Sequence, residues 1–182
     1  MYELWLTLHD VPAEGREFSF SDPAIWAEPW AEFDLPYRAA TPLEATLTIV
    51  PQKNGCLVSG RITGSFVAPC DSCVEDAEIV VDHSFDVYED IAPPDAPPDE
   101  DAGFDERVDV PVLRWAGEHL ELNVAAVLWE EFLLAAPVKP LCREDCKGLC
   151  PKCGANLNQG DCGCDKDRLD PRLAVLRSVK IS

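Results

Sequence analysis

"LEATLTIVPQKNGCLVSGRITGSFVAPC", from Leu43 to Cys70, alternates from its first residue. Leu43, Ala45, Leu47 and Ile49 fall on one parity, with Glu44, Thr46 and Thr48 between them. In an extended chain successive side chains point to opposite faces, so this pattern predicts a strand with one buried face. Asn54-Gly55 is the dipeptide that tight hairpin turns favour, and the strand resumes through Val58, Ile62 and Phe66. Beyond Cys70-Asp-Ser-Cys73 the run from Ala77 to Val87 is again extended in character. The expectation is a meander of long antiparallel strands.

Upstream, Tyr2 to His9 reads as a first strand, with bulky apolar residues on both parities. In "SDPAIWAEPWAEF", Ser21 or Asp22 suits an N-cap and Pro23 the first helical position, so a short helix is expected there, made irregular by Pro29. From Asp82 to Glu106 there are ten acidic residues and no Lys or Arg, with Pro93, Pro94, Pro97 and Pro98 in the middle. Such a stretch cannot bury enough apolar surface to offset its ordering entropy, which predicts a flexible linker at about 91–106. "NVAAVLWEEFLLAAP" supplies the clearest helix. Val124, Val127, Leu128 and Leu134 fall at helical spacing, Trp129 and Phe132 broaden the apolar face, and Pro137 ends it. A last short helix is expected from Asp170-Pro171, lined by Leu173, Leu176 and Val179. The fold class is therefore α+β: an antiparallel β-meander packed with a long helix, then a cysteine-rich C-terminal zinc-knuckle segment ending in a short helix. Residues 1–137 form an acidic β-rich body and residues 138–182 a metal-binding tail.

The net charge of −19 argues against a broad nucleic-acid-binding surface, since phosphate recognition depends on Lys and Arg displacing counterions. The charge is divided unevenly. Residues 1–137 carry 6 Lys or Arg against 28 Asp or Glu, a net −22, whereas residues 138–182 carry 9 against 6, a net +3. An acidic body with a mildly basic tail suits a basic protein partner, or simply keeps the protein soluble. No basic n-region or long apolar run opens the chain, and its longest apolar run is Val124 to Trp129, where a membrane span needs roughly 20 residues. The expected compartment is the cytoplasm, in which thiols stay reduced.

Nine cysteines stand in the chain, and six of them fall within "CREDCKGLCPKCGANLNQGDCGC", Cys142 to Cys164. Cys150-Pro-Lys-Cys153-Gly has the form of a zinc knuckle: two thiolates two residues apart can face one ion across a tight turn, and the following glycine permits that turn. With Cys162 and Cys164 they make a compact four-thiolate set. Cys70 and Cys73, at a turn between strands, could be completed by Cys142 and Cys146 into a second set, leaving Cys56 as a buried strand residue. Three other readings stand beside this one. Cys146, Cys150 and Cys153 have the spacing of radical-type iron–sulfur enzymes, but those need a large barrel. A thioredoxin-like role for Cys70 and Cys73 would want a strand-to-helix setting. Disulfides would want an oxidising compartment and fit an odd cysteine count poorly.

A catalytic apparatus is not evident. His9, His83 and His119 lie on or beside expected strands without partner spacing and read as surface or edge residues. No phosphate-binding loop, dinucleotide fingerprint or nucleophile elbow occurs. The expectation is a protein that is not an enzyme.

"PVKPLCREDCKGLCPKCGANLNQGDCGC", followed by "DPRLAVLRSV", closely resembles the C-terminal signature of the YceD family, and the upstream "CDSC" after a β-rich stretch matches that family's internal CxxC. The family often has Arg or Lys inside that CxxC, where Asp71 and Ser72 stand here. The resemblance implies a bacterial or plastid protein linked to accumulation of large-subunit ribosomal RNA. It carries over no catalytic residues. Two roles follow from it. One is an accessory factor in large-subunit biogenesis that contacts a basic ribosomal protein or pre-ribosomal particle, with zinc shaping the tail. The other is a zinc-dependent module that touches rRNA through Lys147, Lys152, Lys166, Arg168, Arg172 and Arg177.

Overall fold

The computed structural model describes residues 3–53, 55–91 and 111–164. In chain order these form β1 (Trp5–Thr7), a 3-10 turn (Leu8–Asp10), β2 (Arg16–Phe20), α1 (Ala24–Glu32), β3 (Arg38–Gln52), β4 (Gly55–Pro69), β5 (Asp76–Asp90), β6 (Leu113–Ala116), β7 (His119–Asn123) and α2 (Val124–Ala135). Asn54 of the expected turn, the linker from residue 92 and the helix expected from Asp170 lie outside the described residues.

The frame is a four-stranded antiparallel sheet in the order β2-β3-β4-β5. Its three long strands run 15 residues each. One face buries Leu43, Ala45, Leu47 and Ile49 of β3, Cys56, Val58, Ile62 and Phe66 of β4, and Ala77, Val81 and Phe85 of β5. That is the alternation seen in the sequence, now shared by three strands in register. Gly60 pairs with Leu47 on one side and Phe85 on the other; a Cβ there would stand 2.4 Å from Leu47 Cδ2 and 2.7 Å from Phe85 Cζ. The missing side chain is what lets the Phe85 ring lie across the sheet. Pairing of β3 with β4 is irregular between Ala39 and Glu44, opposite Gly64 at φ +139°. This bulge includes Pro42, which has no N–H to give a ladder.

A second sheet, β1-β7-β6, has three strands. The first expected strand is cut short: only Trp5–Thr7 pair, with β7, before the chain turns at Leu8–Asp10. In β2 and in the β7 arm of the β6–β7 hairpin the alternation rests on two apolar residues each, Phe18 and Phe20, and Leu120 and Leu122, too few to predict a strand. The hairpin turn has Gly117 at φ +67°, a first-position glycine that suits a two-residue hairpin loop.

α2 is twelve residues, three turns and not a long helix. It is buried nearly all round because it contacts β5, β1 and α1. Val124, Val127, Leu128, Trp129 and Phe132 are in the core, but Leu134 is 75% exposed, so the sequence face was drawn one turn too far. Asn123 caps the helix from a fully buried position, its Oδ1 accepting from Ala126 N–H and also from Leu4 N–H of the chain leading into β1. In α1 the Asp22 carboxylate accepts Ala24 N–H, Pro23 already has helical dihedrals, and the helix continues through Pro29. Trp26, Trp30, Phe66 and Phe132 form the centre of the core, with ring centroids 5.2–6.1 Å apart.

His83 is on the edge strand β5, as its sequence setting suggested, but its side chain turns inward rather than to the surface. It lies on the inner parity of β5, half-buried, 2.8 Å from the buried Glu131 of α2. His9 and His119 are exposed, their rings 5.0 Å apart. Cys56 is fully buried, and burial, helped by the Glu89 charge, pushes its thiol up to about 12.

Two outcomes are expected of this core. Phe132→Ala should cost about 3–5 kcal/mol in chemical denaturation, since it empties the centre of the aromatic cluster. The neutral Cys56 thiol stabilises the fold fully below its ordinary value of 9.0, and this contribution is lost as pH rises towards about 12. Denaturation midpoints measured from pH 8 upward should therefore fall more steeply for the native chain than for Cys56→Ala.

Candidate metal centres

The β4–β5 connection is the sequence Cys70-Asp-Ser-Cys73 with Val74 and Glu75. Cys70 N–H donates to Glu75 C=O and Val74 N–H to Cys70 C=O, and Val74 takes the left-handed φ of +64°. This tight loop turns both thiols to one side at the end of two paired 15-residue strands. The tail docks on it through backbone hydrogen bonds, Asp71 N–H to Pro140 C=O and Leu149 N–H to Ser72 C=O. Cys142 and Cys146 are thereby carried to the turn.

The resulting sulfurs lie within 4.8 Å of one another, with Cys70 Sγ to Cys146 Sγ at 3.8 Å and Cys73 Sγ to Cys142 Sγ at 3.6 Å. Four sulfurs around an ion at the usual zinc–sulfur bond length of about 2.3 Å would sit about 3.8 Å apart along each tetrahedral edge. A disulfide needs about 2.05 Å, and all nine cysteines are free thiols. Cys70 and Cys73 are 1% and 4% exposed and, with Ala77, form a small cluster separate from the main core.

Cys150, Cys153, Cys162 and Cys164 form the other set, again with all sulfurs within 4.8 Å. Gly154 N–H donates to Cys150 C=O and Cys150 N–H to Ala155 C=O, with Gly154 at φ +73° as the turn requires. This set is more open: Cys150 is buried, but Cys153 is exposed.

The electrostatics show why thiols at such separations want a cation. Burial works against the Cys70 thiolate, yet N–H groups of Cys142, Ser72 and Cys73 together outweigh it and bring the thiol down to about 6. In the same set, burial and the neighbouring Cys73, Cys146 and Cys70 sulfurs push Cys142 up to about 12. The Cys153 and Lys152 N–H groups hold Cys150 at about 6, while the Cys153 and Cys162 sulfurs drive Cys164 up to about 12. Without an ion the sulfurs of a set must share protons; a divalent cation among them lets all four ionise. Both sets could hold a metal ion.

Sequence reading passed over the outer contacts, because "GANLNQGD" looks like an ordinary turn-rich connection. Asn158 Nδ2 donates to Cys146 Sγ at 3.4 Å and, above all other groups, lowers that thiol. Asn156 Nδ2 and Gln159 Nε2 both donate to Glu75 Oε1, across from the tail to the β4–β5 turn. Asparagines at two-residue spacing inside a cysteine loop were the available signal. Of the six basic residues, Lys147 and Lys152 are exposed on this lobe. Lys166, Arg168, Arg172 and Arg177 lie outside the described residues.

The architecture is that of a small α+β protein with two preformed four-thiol sets. The chain belongs to the YceD family: the family model described as large ribosomal RNA subunit accumulation protein YceD matches residues 58–180, which include all eight clustered cysteines. It is also similar to uncharacterized proteins of Mycobacterium tuberculosis and Mycobacterium bovis, at 31% identity over 97% of this chain and 72% of theirs. A chloroplastic protein of Arabidopsis thaliana, named large ribosomal RNA subunit accumulation protein YCED homolog 1, is 23% identical over 79% of this chain and 50% of its own. No solved structure matches the chain. Among the described residues, no helix is long and apolar enough to cross a membrane.

Cys73→Ser and Cys153→Ser should each lower the metal content by one atom per chain in elemental analysis of purified protein. Since the main core contains none of the eight clustered cysteines, chelation under reducing conditions should expose the tail to protease while the near-ultraviolet dichroism of the five tryptophans persists.

Proposed function

We propose that this chain is an accessory factor in biogenesis of the large ribosomal subunit that works through protein contacts, with structural zinc in both thiol sets. Family membership supports the biogenesis role, and the names of the family and of the Arabidopsis relative tie it to accumulation of the large ribosomal RNA. The role belongs to the cytoplasm. Zinc is favoured by the donor set: four thiolates at tetrahedral spacing suit a closed structural site and leave the ion no position for water or substrate. That chemistry favours a binding role over catalysis.

The observation that carries the protein-contact reading is the outward face of β5. Asp76, Glu78, Asp82, Asp86 and Asp90 share one parity there, all exposed, with Val80 and Tyr88 between them at 76% and 55% exposure. Arg38 pairs with Asp76 and Arg61 with Asp82, and the column remains negative. Such a face repels a phosphate backbone and attracts a basic, partly apolar protein surface.

Binding of the purified chain to individual basic proteins of the large subunit, followed by calorimetry, tests this reading. Neutralising Glu78, Asp86 and Asp90 together to Gln and Asn should weaken binding about tenfold or more, whereas neutralising Lys147, Lys152, Lys166, Arg168, Arg172 and Arg177 should leave it intact. The rRNA-binding alternative requires the reverse: affinity for an rRNA fragment that falls steeply with salt and vanishes when the six basic residues are neutralised. Elemental analysis of protein purified without added metal should find two zinc ions per chain, and iron in their place would overturn the zinc assignment.

A further inference from the structure

Three residues, Lys147, Gly148 and Leu149, separate Cys146 of one thiol set from Cys150 of the other. Each is tied by a hydrogen bond to one of the two loops that carry thiols. Lys147 N–H donates to Asn158 Oδ1 at 2.9 Å, and Gly148 C=O accepts from Leu157 N–H at 2.9 Å. Leu149 N–H donates to Ser72 C=O at 3.0 Å, inside the Cys70–Cys73 turn, and Leu149 also bridges to Asn156. Gly148 is at φ +70°, where a Cβ would stand 2.9 Å from Ser72 O, so only glycine lets the connector pass this close.

Asn158 is the centre of this arrangement. It belongs to the loop between Cys153 and Cys162, yet its amide N–H reaches the sulfur of Cys146 in the other set. Its carbonyl oxygen holds the residue next to Cys146, and its own N–H donates to Asn156 Oδ1 at 2.9 Å. Asn156 in turn donates to Glu75 beside Cys73. The loop of one set therefore supplies an outer hydrogen-bond shell for the other. Such outer contacts orient ligands and spread the charge of a metal-bound thiolate, and their loss commonly weakens metal binding about 10–100-fold.

We infer that the two thiol sets are a single coupled unit, in which an ion at Cys150, Cys153, Cys162 and Cys164 fixes Asn158 against Cys146 and so tightens binding at Cys70, Cys73, Cys142 and Cys146. Asn158 is a positioning residue for a metal it does not touch. The inference rests on the reading that both sets bind metal, and it adds a coupling that two independent sites would lack. By linkage the influence is mutual: an ion in the first set also tightens the second.

The test uses the full chain, stripped of metal under reducing conditions and titrated with cobalt(II), whose tetrathiolate complexes absorb through sulfur-to-metal charge transfer. Cys153→Ser with Cys164→Ser disables the second set, and cobalt affinity at the first set should then fall about tenfold or more. Asn158→Asp keeps the size and the acceptor for Lys147 but loses the N–H donor to sulfur. It should weaken the first set about 10–100-fold. It should also move the first set's charge-transfer band to lower energy, a shift that mere loosening of the loop would not produce. Retention of cobalt at the second set in this variant shows that the lobe still folds. Unchanged affinity and band energy at the first set, with both sets loaded, would overturn the coupling while leaving the metal reading standing. A native chain that takes up no cobalt at either set would overturn both.

Discussion

The lobe formed by residues 138–164 depends on sulfurs that are remote in sequence being held about a van der Waals contact apart. Cys70 and Cys146 are 76 positions apart and Cys73 and Cys142 are 69, yet their sulfurs approach to 3.8 and 3.6 Å. Closing a loop of that length has a large entropic cost, and crowding four acidic thiols adds an electrostatic one. A cation bound there would offset both, because it would bind only the assembled set and so transfer its binding free energy to the fold. The backbone hydrogen bonds from Asp71 to Pro140 and from Leu149 to Ser72 set the direction of approach but are too few to hold it alone.

The body has no such dependence. Its core joins both sheets and both helices around Trp26, Trp30, Phe66 and Phe132, and Cys56 is the one cysteine within it. The two parts use different physics. Burial of apolar area organises residues 3–91 and the β6–β7–α2 segment, whereas thiol geometry organises residues 138–164. They meet at the β4–β5 turn, where a strand pair stiffened over its full length presents two sulfurs on a loop of fixed shape.

How much of this was legible in the sequence follows from that division. Period-two alternation marked β3, β4 and β5 because each faces the core on one side and solvent on the other. It could not mark β2, β6 and β7, which are short, or end the first strand at Thr7, where apolar residues continue on both parities. Helical spacing found α2 but placed Leu134 inward, since a helix buried nearly all round gives a weak stripe from which to judge its last turn. Pairs of cysteines two residues apart were visible as ligand pairs; which pair completes which set is a property of the fold, and spacing suggests it without deciding it. His83 is on the edge strand β5, as its setting suggested, but its buried partner, Glu131, is 48 positions away and leaves no local signal. Asn158 was missed for the same reason: an outer contact to a sulfur leaves no periodic trace.

The separation of the two parts also bears on what kind of protein contact the chain can make. The proposed docking face on β5 belongs to the body, and the spacing of its carboxylates, two or four residues apart along one parity, is fixed by a 15-residue ladder with β4. The same ladder ends at Pro69 and Asp76, the entrance to the first thiol set, where Cys70 N–H then donates to Glu75 C=O. An acidic face and a thiol-held lobe are therefore attached to one stiff hairpin, at its side and at its tip. On the proposed metal reading, loss of the ions would loosen the tip without reshaping the side. A partner that touched both would sense whether the lobe is assembled, whereas a partner confined to the carboxylate column would bind the metal-free chain just as well.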